Sequence, residues 1–371
     1  MEINVDQSKL AKALAIVSKV AMGSRTTLPI LSNVLIKVLD GKVTLTTTNL
    51  DMAVVDYLPT SSSKNGEITV PARLLADFIA NLPKGEVKIS VKETKITTTS
   101  GKYKSVMNGT SASDFPELPE LNEKEAVIYK IPVDDFKDGM SSVKIAASND
   151  TTRPSFTGVF FNTDNENLYV AATDGYRLAE KKLISGISSE VKAIVPASTI
   201  TEVLSSISED VEEVEVLFDE NQVCFRMGEI EITSKYIDGS FPDYRKLIPS
   251  TETSSEAIEL VLKRDEILRV TKLAALFARE VGGSIVLETS TSKNALLVSS
   301  VANEYGENVS EIETDVDKDM KVVLNSRYLL DAINATTSSD VKLSMFGGLM
   351  PVKIEDANDI SYVHIVMPLK G

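Results

Sequence analysis

One pattern occurs three times along this chain of 371 residues. It consists of a short β-rich run, a cap-like proline or asparagine, and an amphipathic helix. The three copies are ITVPARLLADFIANL (68–82), AIVPASTITEVLSSI (193–207) and VVLNSRYLLDAINAT (322–336). Their cap-like residues Pro71, Pro196 and Asn325 are 125 and 129 residues apart. A repeat of this length predicts three similar units rather than one large core.

Two further markers keep nearly the same spacing. The segments LTTTNLDMAV, VAATDGYRLA and VSSVANEYGE align through Asn49, Asp174 and Asn303, again 125 and 129 residues apart. The other marker is an apolar residue followed by Pro116, Pro242 or Pro368, at intervals of 126 residues. Three unrelated markers thus agree on one repeat. The predicted domains are residues 1–124, 125–250 and 251–371.

Each repeat predicts the same set of secondary structures. A helical stretch opens it, at residues 8–21, 133–146 and 263–280, and the repeated amphipathic helix follows later. The remaining sequence, such as KVTLTTTNLDMAV and NALLVSS, alternates with the period of two that is typical of strands. The predicted fold class is therefore α+β, with three tandem similar domains, each with two helices packed on antiparallel sheets.

The composition limits the possible chemistry. The chain has one histidine and one cysteine, too few for a zinc or other soft-metal cluster. Histidine-dependent catalysis would need His364, whose strand-like run SYVHIVM favours a packed histidine instead. We expect no cofactor. The N-terminus lacks a signal-peptide pattern, no apolar run is long enough to span a membrane, and a lone cysteine fits a reducing cytoplasm, where we expect the protein.

The helices that open the repeats keep a basic face, although the net charge is −15. In the first helix, Lys12 and Lys19 fall nearly opposite the apolar stripe. That stripe is Leu10, Ala13, Leu14 and Val17. The corresponding residues of the third repeat are Arg264, Lys272 and Arg279, and those of the weaker middle helix are Lys137 and Lys144. Such faces suit a polyanion, although ordinary solvated faces would look the same.

The chain resembles the bacterial DNA polymerase sliding clamps, the beta subunits of the replicative polymerase. The resemblance is carried by TLPILSNVLIKVLDGKVTLTTTNLDM, TVPARLLADFIANLPKG, SDFPEL, AATDGYRLA, TSKYIDGSFPDYRKLIP and VMPLKG, which span the chain. It implies the DNA clamp fold and a closed, head-to-tail homodimeric ring around duplex DNA. Such a ring binds DNA without sequence preference, performs no chemistry, and tethers the polymerase for processivity.

The resemblance also implies a groove between the second and third domains. There, short linear motifs of the polymerase, clamp loader and repair proteins would dock. The groove residues carried over are Phe156, Thr173, Gly175, Tyr176, Arg177, Leu178, Pro242, Lys246, Leu247, Leu349, Pro351, Ile365, Val366, Met367, Pro368 and Leu369.

Two more sets of residues complete the prediction. The family alignment adds Arg25, Asn149 and Arg153 to the DNA-facing residues Lys12, Lys19, Lys137, Lys144, Arg264, Lys272 and Arg279. It also puts Leu276 and Phe277 near the dimer contact, with Met107 opposite.

Alternatives remain at this point. The segment ATDGYRLAE could be only a hairpin turn. An enzyme could use Asp174 and Arg177. The chain could also be a three-domain interaction scaffold that does not encircle DNA.

Overall fold

The computed structural model describes residues 1–23, 28–60, 62–118, 121–250, 254, 256–302 and 306–369. Its elements occur in the same order three times: a strand, a helix, a group of strands, a second helix and three more strands. The helices are α1 (Gln7–Gly23), α2 (Ala72–Ala80), α3 (Val133–Lys144), α4 (Ala197–Ser206), α5 (Arg264–Phe277) and α6 (Ser326–Asn334). The predicted fold class is confirmed, and each repeat has the two helices expected.

By their contacts the residues form two compact units, 1–133 with 201–236, and 134–200 with 237–371. These units do not coincide with the three predicted domains, whose boundaries stay a prediction. None of the described helices combines the length and apolar character needed to cross a membrane.

The first unit contains two antiparallel sheets. Its strands are β1 (Glu2–Asp6), β2 (Asn33–Leu39), β3 (Lys42–Thr48), β4 (Met52–Pro59), β5 (Ser62–Lys64), β6 (Gly66–Pro71), β7 (Glu86–Lys92), β8 (Lys95–Ser100), β9 (Tyr103–Asn108), β10 (Val127–Pro132), β15 (Glu213–Phe218), β16 (Gln222–Met227) and β17 (Ile230–Lys235). One sheet has the order β6-β2-β3-β4-β17-β16-β15-β10, and the other has β5-β1-β7-β8-β9.

The second unit also contains two antiparallel sheets. Its strands are β11 (Gly158–Asp164), β12 (Asn167–Thr173), β13 (Arg177–Ser185), β14 (Lys192–Pro196), β18 (Ile258–Lys263), β19 (Ser284–Ser290), β20 (Ala295–Ala302), β21 (Gly306–Glu313), β22 (Met320–Asn325), β23 (Asp340–Met345), β24 (Val352–Asp356) and β25 (Tyr362–Val366). One sheet has the order β14-β11-β12-β13-β25-β24-β23-β18, and the other has β22-β19-β20-β21.

The two eight-stranded sheets are built alike, strand for strand. In each, four strands of one repeat meet four strands of the next, and the meeting pair is β4 with β17 or β13 with β25. We call the β4–β17 pair the first seam and the β13–β25 pair the second seam. Each seam continues one sheet across a repeat boundary.

Local sequence explains the helices. Leu10, Leu14 and Val17 are fully buried, so the predicted stripe of α1 faces the core. Asn325 caps α6, because its side chain accepts a hydrogen bond from the Arg327 N–H at 2.9 Å. Pro71 precedes α2, where proline's fixed φ is compatible with the start of a helix.

Candidate partner groove and DNA-facing helices

The segment ATDGYRLAE forms a tight turn at the start of β13. The Asp174 carboxylate accepts hydrogen bonds from the N–H groups of Tyr176 (2.8 Å) and Arg177 (3.0 Å). The Thr173 hydroxyl accepts one from the Gly175 N–H at 3.0 Å. Gly175 has a φ of 89°, which favours glycine. The turn therefore fixes the backbone of Tyr176, whose side chain is 59% exposed.

Arg177 supports this turn from inside. Its side chain is 8% exposed and donates to Asp174 (3.1 Å) and Asp331 (2.5 Å). Its guanidinium also lies 4.5 Å from the centre of the Tyr328 ring. The family resemblance implied that Arg177 is a groove residue. In the structure it is buried, because its charge is used to tie the turn to α6.

An apolar cluster underlies the second seam on the face opposite the helices. Leu178 and Ile365 are paired across the seam and form one buried cluster with Tyr244. Phe160 and Phe241 pack against this cluster with their rings stacked, 4.7 Å between centroids. Burial and the neighbouring Glu180 carboxylate raise the pKa of Tyr244 above its ordinary range, so its hydroxyl stays a donor to Glu180.

Exposed apolar side chains surround this cluster. The Met367 N–H donates to the Tyr176 carbonyl at 2.9 Å, which brings these two side chains to one edge of the seam. Leu247 is 61% exposed at the end of a short 3₁₀ helix, Tyr244–Leu247. The neighbouring Lys246 is exposed and pairs with Asp243 at 2.6 Å. We call this exposed rim with its apolar floor the partner groove.

The remaining groove predictions divide by exposure. Gly175 and Leu349 are exposed. The half-buried residues are Phe156, Pro242, Pro351, Pro368 and Leu369. Buried residues are Thr173, Arg177, Leu178, Ile365 and Val366. Leu178 and Ile365 belong to the floor, whereas Val366 belongs to the core cluster that includes residues of α5 and α6. An incoming ligand would touch mainly the exposed and half-buried sets.

Arg153, which the sequence prediction put in the DNA-facing set, packs against a groove residue. Its guanidinium lies 5.0 Å from the centre of the Phe156 ring. A Cβ atom added at Gly175 would be 3.3 Å from its Nη1 and 3.7 Å from the Phe156 ring. The sequence contained no signal for this contact, because it depends on how the chain folds back onto the turn.

The basic residues of the helix faces differ in their ion pairs and in their exposure. Lys12 is exposed but lies 3.7 Å from Asp210, and Lys19 lies 3.7 Å from Glu202. Lys272 is exposed and makes no ion pair within the described part of the chain. Exposed residues of the set also include Asn149 and Arg279, whereas Lys137 and Lys144 are half-buried. Arg25 lies outside the described residues.

Arg264 is less available than the sequence suggested. Its side chain is 25% exposed. It donates to the carbonyl oxygens of Ile333 (3.3 Å) and Asn334 (3.4 Å), at the end of α6. A cation is favourable at a helix C-terminus. Its position therefore supports a structural role in addition to any DNA contact.

The predicted dimer residues include one correction. Leu276 is 54% exposed and Phe277 is half-buried. Met107, however, is only 5% exposed, and its neighbour Val106 is 56% exposed. Successive side chains of a strand point to opposite faces, so Met107 enters the core and Val106 takes the surface.

The lone histidine and cysteine are core residues. Burial, with a smaller contribution from the Arg177 charge, lowers the pKa of His364 to about 3. Its Nδ1 is 2.8 Å from the Tyr362 hydroxyl. Burial raises the pKa of the Cys224 thiol to about 11, which disfavours the reactive thiolate.

Comparison with known proteins identifies the family. Models of the N-terminal, central and C-terminal domains of the DNA polymerase III beta subunit match residues 1–119, 130–243 and 245–370. The beta sliding clamp of Staphylococcus aureus is 29% identical over 362 residues, 94% of each chain.

Solved structures agree with this match. The Bacillus subtilis sliding clamp has 27% identity and a TM-score of 0.92, covering 100% of this chain and 99% of its own. A Pseudomonas aeruginosa clamp bound to griselimycin has 26% identity and a TM-score of 0.93, with both chains covered completely. The chain therefore belongs to the DNA polymerase III beta-subunit family, the bacterial sliding clamps of DNA replication.

Proposed function

We propose that two copies of this chain join head to tail into a closed ring around duplex DNA in the cytoplasm. The ring performs no chemistry and tethers the replicative polymerase and other proteins. Contacts between the basic helix faces and phosphates would hold DNA without reading its sequence. The scaffold alternative, which does not encircle DNA, differs from this proposal in leaving the ring open.

The single observation that carries the proposal is an unmatched pair of sheet edges. In each seam, a strand equivalent to β4 pairs with a strand equivalent to β17. The chain has one further strand of each kind, β21 and β9, and each ends its sheet without a partner among the described residues. Exposed edges are rarely left unpaired in soluble proteins. A second copy would supply both missing partners, and two such contacts close a ring.

The two edges carry similar apolar residues and charges of opposite sign. On β9, Lys104 and Val106 are exposed. On β21, Glu307 and Val309 are exposed. If the register of the two seams is repeated, Glu307 faces Val106 and Val309 faces Lys104. Each edge then contributes one apolar side chain and one charge of opposite sign to the contact.

A disulfide experiment tests this register. We expect the double variant Lys104→Cys, Val309→Cys to form a covalent dimer under mild oxidation. The shifted control Ser105→Cys, Val309→Cys should not, because a shift of one residue puts the thiol on the other face. The natural Cys224 is buried and should not interfere. A monomer by sedimentation at micromolar concentration, or equal crosslinking of both variants, would contradict the proposal.

For the partner groove, we propose a short peptide ligand with a glutamine and a spaced apolar pair. Support comes from the exposed Tyr176, Leu247 and Met367 over an apolar floor. The Pseudomonas aeruginosa relative was crystallised with griselimycin, which fits a peptide-like ligand for the family. Affinity should be about micromolar, because a flexible peptide loses entropy on binding. The enzyme alternative is disfavoured, since Asp174 and Arg177 are paired with each other.

A further inference from the structure

We propose that the first seam carries a second peptide site, which binds an apolar side chain flanked by basic residues. The site is a pocket of about 490 Å³, lined by Met52, Ala53, Leu118, Leu121 and Cys224 among others. This inference rests on the proposed function of the partner groove, because the groove serves as its structural template.

The turn that builds the partner groove occurs again before β4. The Asn49 side chain accepts from the N–H groups of Asp51 (3.1 Å) and Met52 (2.8 Å), as Asp174 does in the second seam. The Thr48 hydroxyl accepts from the Leu50 N–H at 3.0 Å and donates to the Met52 carbonyl at 2.9 Å. Leu50 even shares the left-handed backbone of Gly175, with a φ of 79°.

The two seams also share their register. Met52 pairs with Ser234, just as Arg177 pairs with Val366. One step outward, the Lys235 N–H donates to the Asp51 carbonyl at 2.9 Å. This bond repeats the one from Met367 to Tyr176. The pocket therefore occupies, in its own sheet, the place that the partner groove occupies in the other.

Smaller side chains explain why this place is hollow in the first seam. Ala53 stands where the second seam has Leu178, and Thr233 where it has Ile365. Leu118 follows its Phe-Pro marker by two residues, the position that Tyr244 has in the second copy. Each exchange removes volume from the apolar cluster. The remaining space is large enough for an amino-acid side chain and falls within the range of known ligand pockets.

The charges around the pocket indicate the kind of ligand. Arg226 is surrounded by three carboxylates, with Glu231 at 3.0 Å, Glu215 at 3.6 Å and Glu123 closer still. The pocket lining has three carboxylates, Asp51, Glu123 and Glu231, and a second cation, Lys235, in addition to Arg226. Three negative and two positive charges leave the lining a net charge of −1, which favours a basic group.

The partner groove is balanced by comparison. Each of its exposed cations has one carboxylate, at 2.6 Å for Lys246 and Asp243 and at 3.8 Å for Arg153 and Asp150. The chain therefore presents two peptide sites. They have the same backbone arrangement and differ in the ligand charge that they favour.

Each site has its own methionine reporter, because Met52 lines the pocket and Met367 lies on the groove rim. The experiment is a ¹³C-methyl NMR titration of the full-length protein labelled at methionine. The probes are acetyl-KGLLGK-amide and acetyl-EGLLGE-amide, with a glutamine-containing groove peptide as a third. We expect the basic probe to shift Met52, and the acidic probe to bind there about tenfold more weakly.

Three variants test the assignment. Ala53→Leu should abolish the Met52 response by filling the pocket, with circular dichroism to check folding. Asp51→Lys changes an exposed side chain and should weaken the basic probe about fivefold. Met367→Ala should leave the Met52 response intact.

The outcomes separate the two proposals. An unmoved Met52 at millimolar basic probe, or an equal response to both charged probes, overturns the second site. A groove peptide that shifts Met367 in that case leaves the proposed groove function standing. If Met52 responds and Met367 does not, the pocket is supported and the groove proposal fails.

Discussion

The two seams have the same backbone arrangement, but they differ in how far side chains fill the face away from the helices. At the second seam, Tyr244, Phe160 and Phe241 fill the face away from the helices, and apolar residues surround them. At the first seam, Ala53 and Thr233 leave a pocket at the same place. One repeated fold thus provides two positions for a ligand, and side-chain size decides which position is filled and which leaves a pocket.

The seams also differ in where they hold their charges. The cation of the second seam, Arg177, is buried and satisfied by two aspartates, so it stabilises the turn. Beside the first seam, Arg226 of β16 is 26% exposed among its carboxylates. A buried network of this kind is costly to disturb, whereas a half-exposed one can exchange partners with a ligand. The fold therefore uses arginine structurally in one seam and leaves it near the surface in the other.

The largest predicted effect is that of a C-terminal deletion, which should weaken ligand binding at the second seam and leave binding at the first seam unchanged. Removal of residues 367–371 deletes Met367 and its hydrogen bond to Tyr176. We expect groove-peptide binding to fall by about a hundredfold or more, because an apolar contact on the groove rim and the hydrogen bond that positions Tyr176 are both lost. A fluorescence titration with a labelled groove peptide measures this loss, while the Met52 response to the basic probe should stay.

Sedimentation of the truncated protein provides the control, since the dimer should persist. Full-strength binding of the groove peptide by the truncated dimer would place the partner site elsewhere. The first-seam pocket would then lose its structural template, and ATDGYRLAE would be only a turn.

The pH response should differ in sign between the seams. The pKa of His364 in β25 is lowered from 6.5 to about 3, so the folded state prefers the neutral ring. Its stabilising contribution is present above pH 6.5 and is lost as pH falls. Burial, aided by Glu229, raises the pKa of Asp56 in β4 from 3.8 to about 6. Its contribution is present below pH 3.8 and is lost as pH rises through 6.

Acidification from pH 7 to pH 5 should therefore destabilise the second seam by about 2 kcal/mol and stabilise the first by about 1 kcal/mol. Native-state hydrogen exchange, corrected for intrinsic rates, measures the opening free energies of β25 and β4 separately. Asp56→Asn should remove the gain in β4. Parallel changes in both seams would show that these two groups do not control the response.

The repeat made much of this fold predictable from sequence. Periodicity placed all six helices within a few residues, because an apolar stripe and a cap are local signals. The seams were not predictable, since they pair residues far apart in the chain, such as Arg177 with Val366. For the same reason, the sequence did not show which residues of a strand face the core and which face the surface. Without the register, Met107 could not be distinguished from Val106 as the surface residue.

The candidate site was predictable only in part. The motif ATDGYRLAE identified the turn. The family resemblance implied Leu178 and Ile365 of the floor, but not Tyr244, Phe160 or Phe241. The motif could not show that Arg177 turns inward to Asp331, 154 residues away, or that Arg153 folds onto Phe156. Both depend on contacts between segments that are not adjacent in sequence. The pocket of the first seam was missed because it arises from small residues, which leave no pattern of their own.

The smallest predicted effect compares the basic helices of the two units. Lys12 in α1 lies 3.7 Å from Asp210, whereas Lys272 in α5 has no such partner among the described residues. A lysine already paired gains less from a phosphate. Lys272→Gln should therefore reduce the slope of log affinity against log salt by about 0.9, and Lys12→Gln by less.

Asp210→Asn frees Lys12 and should raise DNA affinity by about threefold, in line with the small energy of exposed ion pairs. The matched control Glu209→Gln removes the same charge one residue away, where the described residues form no ion pair, and should have a smaller effect. Fluorescence anisotropy with a labelled duplex across a salt series measures all four variants. Equal slopes for both lysine variants, with no gain from Asp210→Asn, would show that the two helix faces meet DNA alike and that Asp210 does not compete for Lys12.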